Sequence, residues 1–356
     1  MGSVLYTLAA ILMFGIMITV HEAGHFFAAR MSGIPVKEFA IGFGPKLLSW
    51  KRRKHDTQFS LRAIPMGGYC AFYGEDDGSE EAKKDPASFN NFGIGKRLIT
   101  LLAGSLMNIV LAFVVAVLFY VISGIPQITG VPTTSVQAVN ASSPAQLGGM
   151  QPLDVIRTIN GQPVTDNVSE LIDAATKEGA GALTFVVDRP GTGEMTLLVT
   201  PMFSAEANRY MIGVSLETRT PQEWRKGSLS ETLAAAWEMC VGAGRSIIDS
   251  LNRLVFRGEG VNEVTGFVGI TQTIVQTTRT AQLQGYLFLM CLISINLGIF
   301  NLLPIPGLDG SRVLFLLVEA VRGKPFKREG YVHAIGMLLL LGLMLWINLR
   351  DIARLL

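Results

Sequence analysis

The stretch VLYTLAAILMFGIMITVHEAGHFFAA (Val4–Ala29) decides the fold class of this chain. It is apolar and long enough to cross a bilayer, yet two histidines and a glutamate stand near its end. A charged group at the centre of a membrane helix costs about 2.5–3.5 kcal/mol on the insertion scale, so ionisable residues there indicate a functional site. The stretch lacks a basic start and a small-residue cleavage site, and we interpret it as a retained span rather than a signal peptide.

The composition indicates several membrane spans joined to a water-facing part. Of the 356 residues, 49% are hydrophobic and 16% are charged, and the mean hydropathy is +0.39. The net charge of +2 gives no indication of a nucleic-acid partner. The three cysteines show no CxxC spacing, which argues against a disulfide framework and against a cysteine metal site.

Hydropathy and charge placement together predict four membrane helices and their orientation. The predicted spans are about Val4–Ala29, Leu98–Ile122, Tyr286–Leu303 and Val332–Leu349. The loop at 30–97 and the link at 312–328 are rich in Lys and Arg, and short loops of that kind are cytoplasmic. Both termini and the long segment at 123–285 are then predicted to lie on the outer side.

We divide the chain into four parts. Residues 1–123 are predicted to form the N-terminal membrane part, with a cytoplasmic or re-entrant β loop at 30–97. Residues 124–205 are predicted to form an extracytoplasmic PDZ domain, and 206–282 a juxtamembrane amphipathic region that includes a helix at Leu229–Phe256. Residues 283–356 are predicted to form the C-terminal membrane part.

The first loop contains two segments with alternating residues and paired glycines. Ile41–Trp50 and Gln58–Glu75 predict short β-strands joined by tight turns. The pattern leaves open whether they form a hairpin that dips toward the active site or a small cytoplasmic sheet. Glu75–Asp85 is acidic and polar, and we expect a mobile solvated loop there.

The outer segment contains the stretch SPAQLGGMQPLDVIRTINGQPV (Ser143–Val164). A small-residue loop precedes a strand that is closed by Asn160-Gly161, a strong turn dipeptide. A helix at Val168–Glu178 and two further strands are predicted after it. This order resembles a PDZ domain of the bacterial-protease type, which binds an extended peptide at a sheet edge. Gly149-Met150 and Leu153 depart from the usual pattern.

The pentapeptide His21-Glu-Ala-Gly-His25 has the spacing of a metal site on a helix. Residues at i and i+4 lie on one helical face, so both imidazoles can bind one zinc ion. Glu22 is placed to take a proton from a metal-activated water. By its position, roughly 26 Å along the first span at 1.5 Å per residue, His21 lies near the cytoplasmic side.

A catalytic zinc site has three protein ligands and an open position, and Asp309 is the best third ligand. It stands in NLLPIPGLDGSR (Asn301–Arg312), where prolines end the third span. Irregular backbone at membrane depth survives only where it is buried in protein or lines a wet cavity. The alternative role for Asp309 is an N-cap of a helix at Ser311–Val321. The two other histidines, His55 and His333, stand in no motif.

HEAGH in the first span, the IGFGP and IPMGGY loop, the PDZ insertion and NLLPIPGLDG follow one another along nearly the whole chain. In this order they resemble the site-2 protease family, specifically bacterial intramembrane zinc metalloproteases of the RseP/RasP group. The resemblance implies a polytopic α-helical membrane protein of about four transmembrane helices. It also implies a membrane-associated β-hairpin loop, an inserted extracytoplasmic PDZ domain of the α+β class, and a location in the bacterial cytoplasmic membrane.

The resemblance also implies roles for individual residues. It implies one Zn²⁺ per chain with His21, His25 and Asp309 as ligands, and Glu22 as the catalytic acid/base. The residues expected to shape the site or bind substrate are Asn301, Pro304, Pro306, Asn108, Gly67 and Gly68. The chain departs from the family pattern at Ser105, Phe267 and Ser311, none of which is an expected ligand.

The implied activity is hydrolysis of peptide bonds in the transmembrane segments of single-pass membrane proteins. In the family these are anti-sigma factors or signal-peptide remnants, usually trimmed first by another protease, and the PDZ region acts as a size filter. Membrane lipid is the other expected partner. One alternative is a non-catalytic adaptor that binds peptides through its PDZ domain, which a degenerate HExxH or LDG would favour. The other is a zinc transporter, which would need polar groups along a path across the membrane.

Overall fold

The computed structural model describes residues 2–51, 57–75, 79, 81, 84–165, 168–177, 179, 181–204, 209–259, 265–324 and 329–353. His55 and part of the predicted acidic loop lie outside these residues. The chain divides into two compact units, one formed by residues 1–124 with 226–356 and the other by residues 125–225.

The described helices, in chain order, are α1 (Gly2–Met31), α2 (Ile94–Ser123), α3 (Pro144–Leu147), α4 (Val168–Ala175), α5 (Leu229–Asn252), α6 (Phe267–Asn301), α7 (Asp309–Arg322) and α8 (Glu329–Ala353). The described strands are β1 (Val36–Lys51), β2 (Gln58–Phe72), β3 (Ile125–Ile128), β4 (Thr133–Val139), β5 (Val155–Ile159), β6 (Gln162–Pro163), β7 (Leu183–Arg189), β8 (Gly193–Val199), β9 (Met202–Ser204), β10 (Arg209–Met211), β11 (Val214–Arg219) and β12 (Gln222–Arg225).

Four of the helices are long and apolar enough to cross a membrane. The candidate spans are Leu5–Met31, Ile94–Ser123, Phe267–Asn301 and Glu329–Ala353. The predicted polytopic membrane fold is therefore confirmed. The third span begins at Phe267 rather than at Tyr286, because a more polar stretch is also helical and joins the apolar part at a kink. Gln282 marks that kink, with φ of 49° and ψ of −134°.

Helices α1, α2 and α6 pack around one apolar core. Small and flexible side chains contribute to it, including Ala10, Met13 and Met17 of α1. At the level of HEAGH the two backbones are in close contact, since a Cβ added at Gly24 would lie 2.4 Å from the Ala103 carbonyl oxygen. Small residues at helix interfaces allow this approach in membranes. The histidines of α1 are thereby held directly against α2.

Strands β1 and β2 are bent, so that together they form a sheet of four segments, in which the two central segments, 36–41 and 58–61, run in the same direction. Residues 36–41 lie at its centre and pair with 58–61 on one side and with 68–72 on the other. Residues 48–51 pair with the far side of 58–61. Gly42 and Gly44 have φ of 88° and 83°, a left-handed conformation that permits the bend in β1. The predicted β-rich loop is confirmed, and among the described residues segment 68–72 is an edge of this sheet.

The inserted unit has a sheet of order β11-β4-β5-β7-β8, with β6 paired to β5. Its apolar core includes Val136, Ile156, Phe185 and Val187, all essentially inaccessible to solvent. Asn160 and Gly161 both have positive φ, as the predicted Asn-Gly turn requires. The fold is PDZ-like, as expected from the sequence.

The division at residue 225 differs from the predicted bounds of 124–205 and 206–282. Strand β11 pairs with β4, and β12 pairs with β3, so both belong to the inserted unit. Hydrophobic pattern alone could not show this, because the pairing partners are far apart in sequence. Helix α5 has the predicted amphipathic character, with Ala236 fully buried and Trp237 64% exposed.

Candidate metal centre

The centre begins with two histidines on one face of α1. His21 and His25 are one turn apart, and each is only 6% exposed. Their Nε2 atoms lie 3.1 Å from each other. The helical spacing therefore brings two imidazole nitrogens to a single point, as the sequence predicts.

Asp309 meets both histidines from the first turn of α7. Its Oδ2 lies 2.9 Å from His21 Nε2 and 3.2 Å from His25 Nε2. The residue that caps α7 is Leu308, and Asp309 is the first helical residue, so the N-cap alternative is wrong.

These three ligand atoms form a group that could hold a metal ion. Two donors at 2.0–2.1 Å from a tetrahedral zinc are roughly 3.3 Å apart, close to the three separations found here. Two imidazoles and one carboxylate are also a donor set that catalytic zinc sites use. The residues therefore fit a zinc ion with one position left for water or substrate.

Helix α2 orients His25. The His25 Nδ1–H donates to the Thr100 carbonyl oxygen at 2.8 Å, which leaves the Nε2 lone pair free to bind a metal. Beneath the two rings lies Gly104, where an added Cβ would be 2.3 Å from His25 Nε2 and 2.9 Å from His21 Cε1. Only a residue without a side chain fits at this position.

Asn108, also on α2, contacts the other ring. Its Nδ2 lies 3.2 Å from His21 Nδ1, while its buried Oδ1 has no hydrogen-bond partner among the described residues. The two ends of an amide exchange by rotation about the last side-chain bond. In the exchanged orientation Oδ1 accepts from His21 Nδ1–H, which satisfies the oxygen and leaves His21 Nε2 for the metal.

Glu22 lies against the edge segment of the β-sheet. Its carboxylate accepts a hydrogen bond from the Cys70 backbone N–H. An added Cβ at Gly68 would lie 3.5 Å from Glu22 Cγ and 2.8 Å from the Ala40 carbonyl oxygen. Burial raises the pKa of the Cys70 thiol, so this sulfur stays protonated beside the site. At neighbouring Gly67, φ is 113° and an added Cβ would clash with the Phe43 ring.

The turn between α6 and α7 completes the site. Asn301, the last residue of α6, points its Nδ2 toward His21 Nε2 at 3.5 Å. Pro304 follows in the turn, and Pro306 packs on α8, where a Cβ at Gly336 would lie 2.2 Å from Pro306 Cβ. His333 of α8 accepts from the Gly307 N–H at 3.4 Å. His333 stands in no sequence motif, although its ring supports the turn that carries Asp309.

The roles of Thr100 and Gly104 at the metal centre were also not predicted from the sequence. Thr100 acts through its backbone carbonyl, which every residue type has, so the identity of the residue does not indicate this role. A glycine within a membrane helix is a signal only of close packing, and it does not name its partner. The spacing of Gly104 and Asn108 by one helical turn was the available clue that both face the same neighbour.

Comparison with known proteins gives consistent matches over nearly the whole chain. The profile of Peptidase family M50 matches residues 9–343. A Clostridium acetobutylicum protein named as a candidate zinc metalloprotease is 35% identical over 351 residues, covering 96% of this chain and 96% of its own. The regulator of sigma-W protease RasP of Bacillus subtilis is 30% identical over 433 aligned positions, covering 98% of both chains. These matches and the intact metal-binding group set aside the adaptor and transporter alternatives.

Proposed function

The chain belongs to peptidase family M50 and is a membrane zinc metalloprotease, and from this premise we propose the following residue roles and substrates. It is an intramembrane endopeptidase that cuts single-pass membrane proteins within their transmembrane segments. His21, His25 and Asp309 are its zinc ligands. The convergence of their three ligand atoms within 3.2 Å of one another, at the end of a membrane helix, carries this proposal.

Each group around the metal centre has one role in the proposed reaction. His21, His25 and Asp309 would hold a zinc ion, which would acidify a water and polarise the scissile carbonyl. Glu22 takes a proton from that water and later delivers it to the leaving nitrogen. The Cys70 N–H holds the Glu22 carboxylate in place between these two transfers. Asn301, with its amide directed at the site, donates to the substrate carbonyl as negative charge develops on it.

The edge segment 68–72 binds the substrate backbone. A membrane helix must be unwound before its peptide bonds reach a catalytic group, and its freed N–H and C=O groups then need partners. An edge strand offers such partners by strand addition. Gly67 and Gly68 let this segment pack closely against Phe43, Ala40 and Glu22, and Pro304 and Pro306 shape the turn that carries Asp309.

The inserted PDZ-like unit selects what reaches the site. Its apolar groove lies between α4 and the edge strand β11, and its lining includes Val168, Ile172, Tyr210 and Val214. This is the place where an extended peptide can add to the sheet. Together with the name of the RasP relative, it supports pre-trimmed substrates such as anti-sigma factors or signal-peptide remnants.

The enzyme lies in the bacterial cytoplasmic membrane, with both termini and the PDZ-like unit extracytoplasmic. The clustered Lys and Arg residues in the loops at 30–97 and 312–328 support this orientation. The metal centre, at the C-terminal end of α1, is then near the cytoplasmic side. An accessibility map with single introduced cysteines and a membrane-impermeant thiol reagent tests it, after the three native cysteines are replaced.

Cleavage by the full-length protein in lipid vesicles tests the activity and its mechanism. The substrate is a model single-pass protein with a short outer tail, and the comparison is between the wild type and Glu22→Gln. We expect Glu22→Gln to lose about 10²–10⁴-fold in rate, the usual contribution of a general acid/base, while it retains zinc. Glu81→Gln is the matched control, because Glu81 lies outside the site, and its rate should equal that of the wild type.

Two results would contradict the proposal. Normal turnover by Glu22→Gln would exclude Glu22 as the acid/base. Cleavage of the outer tail alone, mapped by mass spectrometry of both fragments, would exclude a scissile bond inside the span.

A further inference from the structure

Asp309 reaches the histidines from a separate short helix, so other contacts must hold that helix in place. Residues 309 and 21 are 288 positions apart in sequence. Pro306 attaches the turn before α7 to α8, which fixes only the start of the helix. Two ion pairs attach the helix itself, one to α2 and one to the β-sheet.

The first ion pair joins α7 to α2. Arg97 and Glu319 form a bidentate pair, with Nη2–Oε1 at 2.5 Å and Nη1–Oε2 at 3.1 Å. Their side chains are only 6% and 15% exposed. Arg97 stands one turn before Thr100, whose carbonyl orients His25. The pair therefore links the helix of the third ligand to the part of α2 that orients the second.

The second ion pair joins α7 to the sheet. Arg312, one turn after Asp309, donates from Nη1 to Glu75 Oε1 at 2.6 Å. Glu75 follows β2, whose edge segment contacts Glu22. The sequence predicts Glu75 as the start of a mobile solvated loop, and at this residue the prediction is wrong because the carboxylate is tied to Arg312. Both pairs line one cleft, together with Glu329 at the start of α8.

The geometry of these pairs matters more than their energy. Buried ion pairs contribute little net stability, because removing two charges from water offsets most of their attraction. A guanidinium nevertheless has a rigid planar fork, and a bidentate carboxylate fits it in one orientation. The bidentate Arg97–Glu319 pair and the single Arg312–Glu75 contact, one near each end of a 14-residue helix, together restrict its rotation and its position along its axis.

We propose that Arg97–Glu319 and Arg312–Glu75 are positioning pairs that set the distance from the Asp309 carboxylate to the two histidines, and thereby the zinc affinity. This rests on the proposed ligand set. Neither pair touches the metal or the substrate. Their effect is exerted through α7, in the way that outer groups around metal sites hold the ligands in their binding geometry.

The test separates positioning from folding by removing both charges of a pair together. Replacing a buried ion pair with apolar residues of similar size is often neutral or stabilising for the fold. In full-length purified protein, Arg97→Met/Glu319→Leu should therefore keep the unfolding temperature of the zinc-free form. Its zinc affinity, measured by competition with a chelator, should fall about 10–100-fold. The absorption bands of the Co²⁺-loaded protein should also shift, because they report ligand geometry.

Three further variants complete the experiment. Arg312→Gln tests the more exposed pair and should lower zinc affinity in the same direction, which keeps the proposal testable if the double variant folds poorly. Arg157→Gln breaks an exposed ion pair with Asp188 in the inserted unit, and zinc affinity should not change. Asp309→Ala should remove tight zinc binding altogether.

The outcomes distinguish this inference from the proposed function. Wild-type zinc affinity and an unchanged Co²⁺ spectrum in Arg97→Met/Glu319→Leu and in Arg312→Gln would overturn the positioning role, provided that Asp309→Ala loses zinc. If Asp309→Ala also keeps wild-type affinity, the ligand set itself is wrong. If only the zinc-free unfolding temperature changes, the pairs hold the fold and do not tune the site.

Discussion

Two carboxylates, the partly exposed Asp309 in the membrane unit and the buried Asp154 in the inserted unit, have opposite kinds of neighbours. Asp154 accepts from Arg189 Nε and Nη2, both at 2.7 Å, and from the Gln151 N–H at 2.8 Å. Its charge is neutralised by a group that always carries a proton. Asp309 instead faces two imidazoles whose Nε2 atoms also face each other. One site is complete without a ligand, whereas the other brings together three atoms that a cation would bind.

The difference shows how a structural ion pair is told from a metal site. Asp154 is inaccessible and Asp309 is 23% exposed, but exposure does not say what a carboxylate binds. The discriminating feature is the balance of donors and acceptors around the carboxylate. Arg189 supplies only donors, while an imidazole held by a hydrogen bond at Nδ1 can present Nε2 to a cation.

The largest effect is expected when the ion pair between Asp154 and Arg189 is broken. Arg189→Met leaves the Asp154 charge buried without its partner, which should destabilise the inserted unit by about 3–5 kcal/mol. Hydrogen exchange of β5 and β7 amides measures it, and the zinc content should not change. Arg189→Met/Asp154→Leu is the matched control and should lose far less. Unaltered amide exchange in Arg189→Met would mean that the Asp154–Arg189 pair does not stabilise the inserted unit.

The second-largest effect is expected from a substitution that disturbs the metal centre without removing a ligand. Gly104→Ala places a methyl group 2.3 Å from His25 Nε2, so the rings must move apart. We expect zinc affinity to fall about 10–100-fold, as for other changes that disturb ligand orientation. Gly95→Ala, on the same helix with open space around its Cα, is the control and should bind zinc normally. Equal affinity in both variants would contradict the observed packing under the histidines.

The smallest effect concerns a third carboxylate, Glu38 of β1, which resembles Asp154 in being fully paired. Burial opposes its ionisation, but hydrogen bonds from Ser60, Arg62, Lys46 and Tyr69 lower its pKa from 4.5 to about 2. A lowered pKa gives stabilisation that is present above pH 4.5 and is lost as the pH falls toward 2.

Glu38→Gln removes that stabilisation at neutral pH. We expect the sheet to lose about 1.5 kcal/mol at pH 7, the contribution of a hydrogen bond to a charged group. The difference from the wild type should shrink below pH 4.5, and hydrogen exchange of β1 amides at both pH values measures it. If the stability difference between the wild type and Glu38→Gln persists at pH 2, the loss comes from the changed side-chain shape and not from the lost charge.

The sequence predicted those features that are encoded locally. The HEAGH spacing fixes which face of α1 carries the ligands, and the prolines and glycines around Asp309 identify an irregular turn at membrane depth. The start of α6 was misplaced because Phe267–Gln282 is helical without being uniformly apolar.

The features that sequence could not predict depend on partners distant in the chain. Glu319 pairs with Arg97 across 222 positions, and Arg312 with Glu75 across 237. Nothing in the charge pattern selects these partners from the other Lys, Arg, Asp and Glu residues. The role of Gly104 is likewise set by rings on another helix, and strand β11 joins its sheet through β4.

The proposed ligand set of His21, His25 and Asp309 is tested by measuring metal content and cleavage together. Wild type, Glu22→Gln and Asp309→Ala are purified identically, and zinc is quantified in the same preparations that are assayed on the single-pass substrate. We predict one zinc per chain with cleavage in the wild type, one zinc with cleavage slowed about 10²–10⁴-fold in Glu22→Gln, and neither zinc nor cleavage in Asp309→Ala. Full zinc occupancy with normal cleavage in Asp309→Ala would contradict the account.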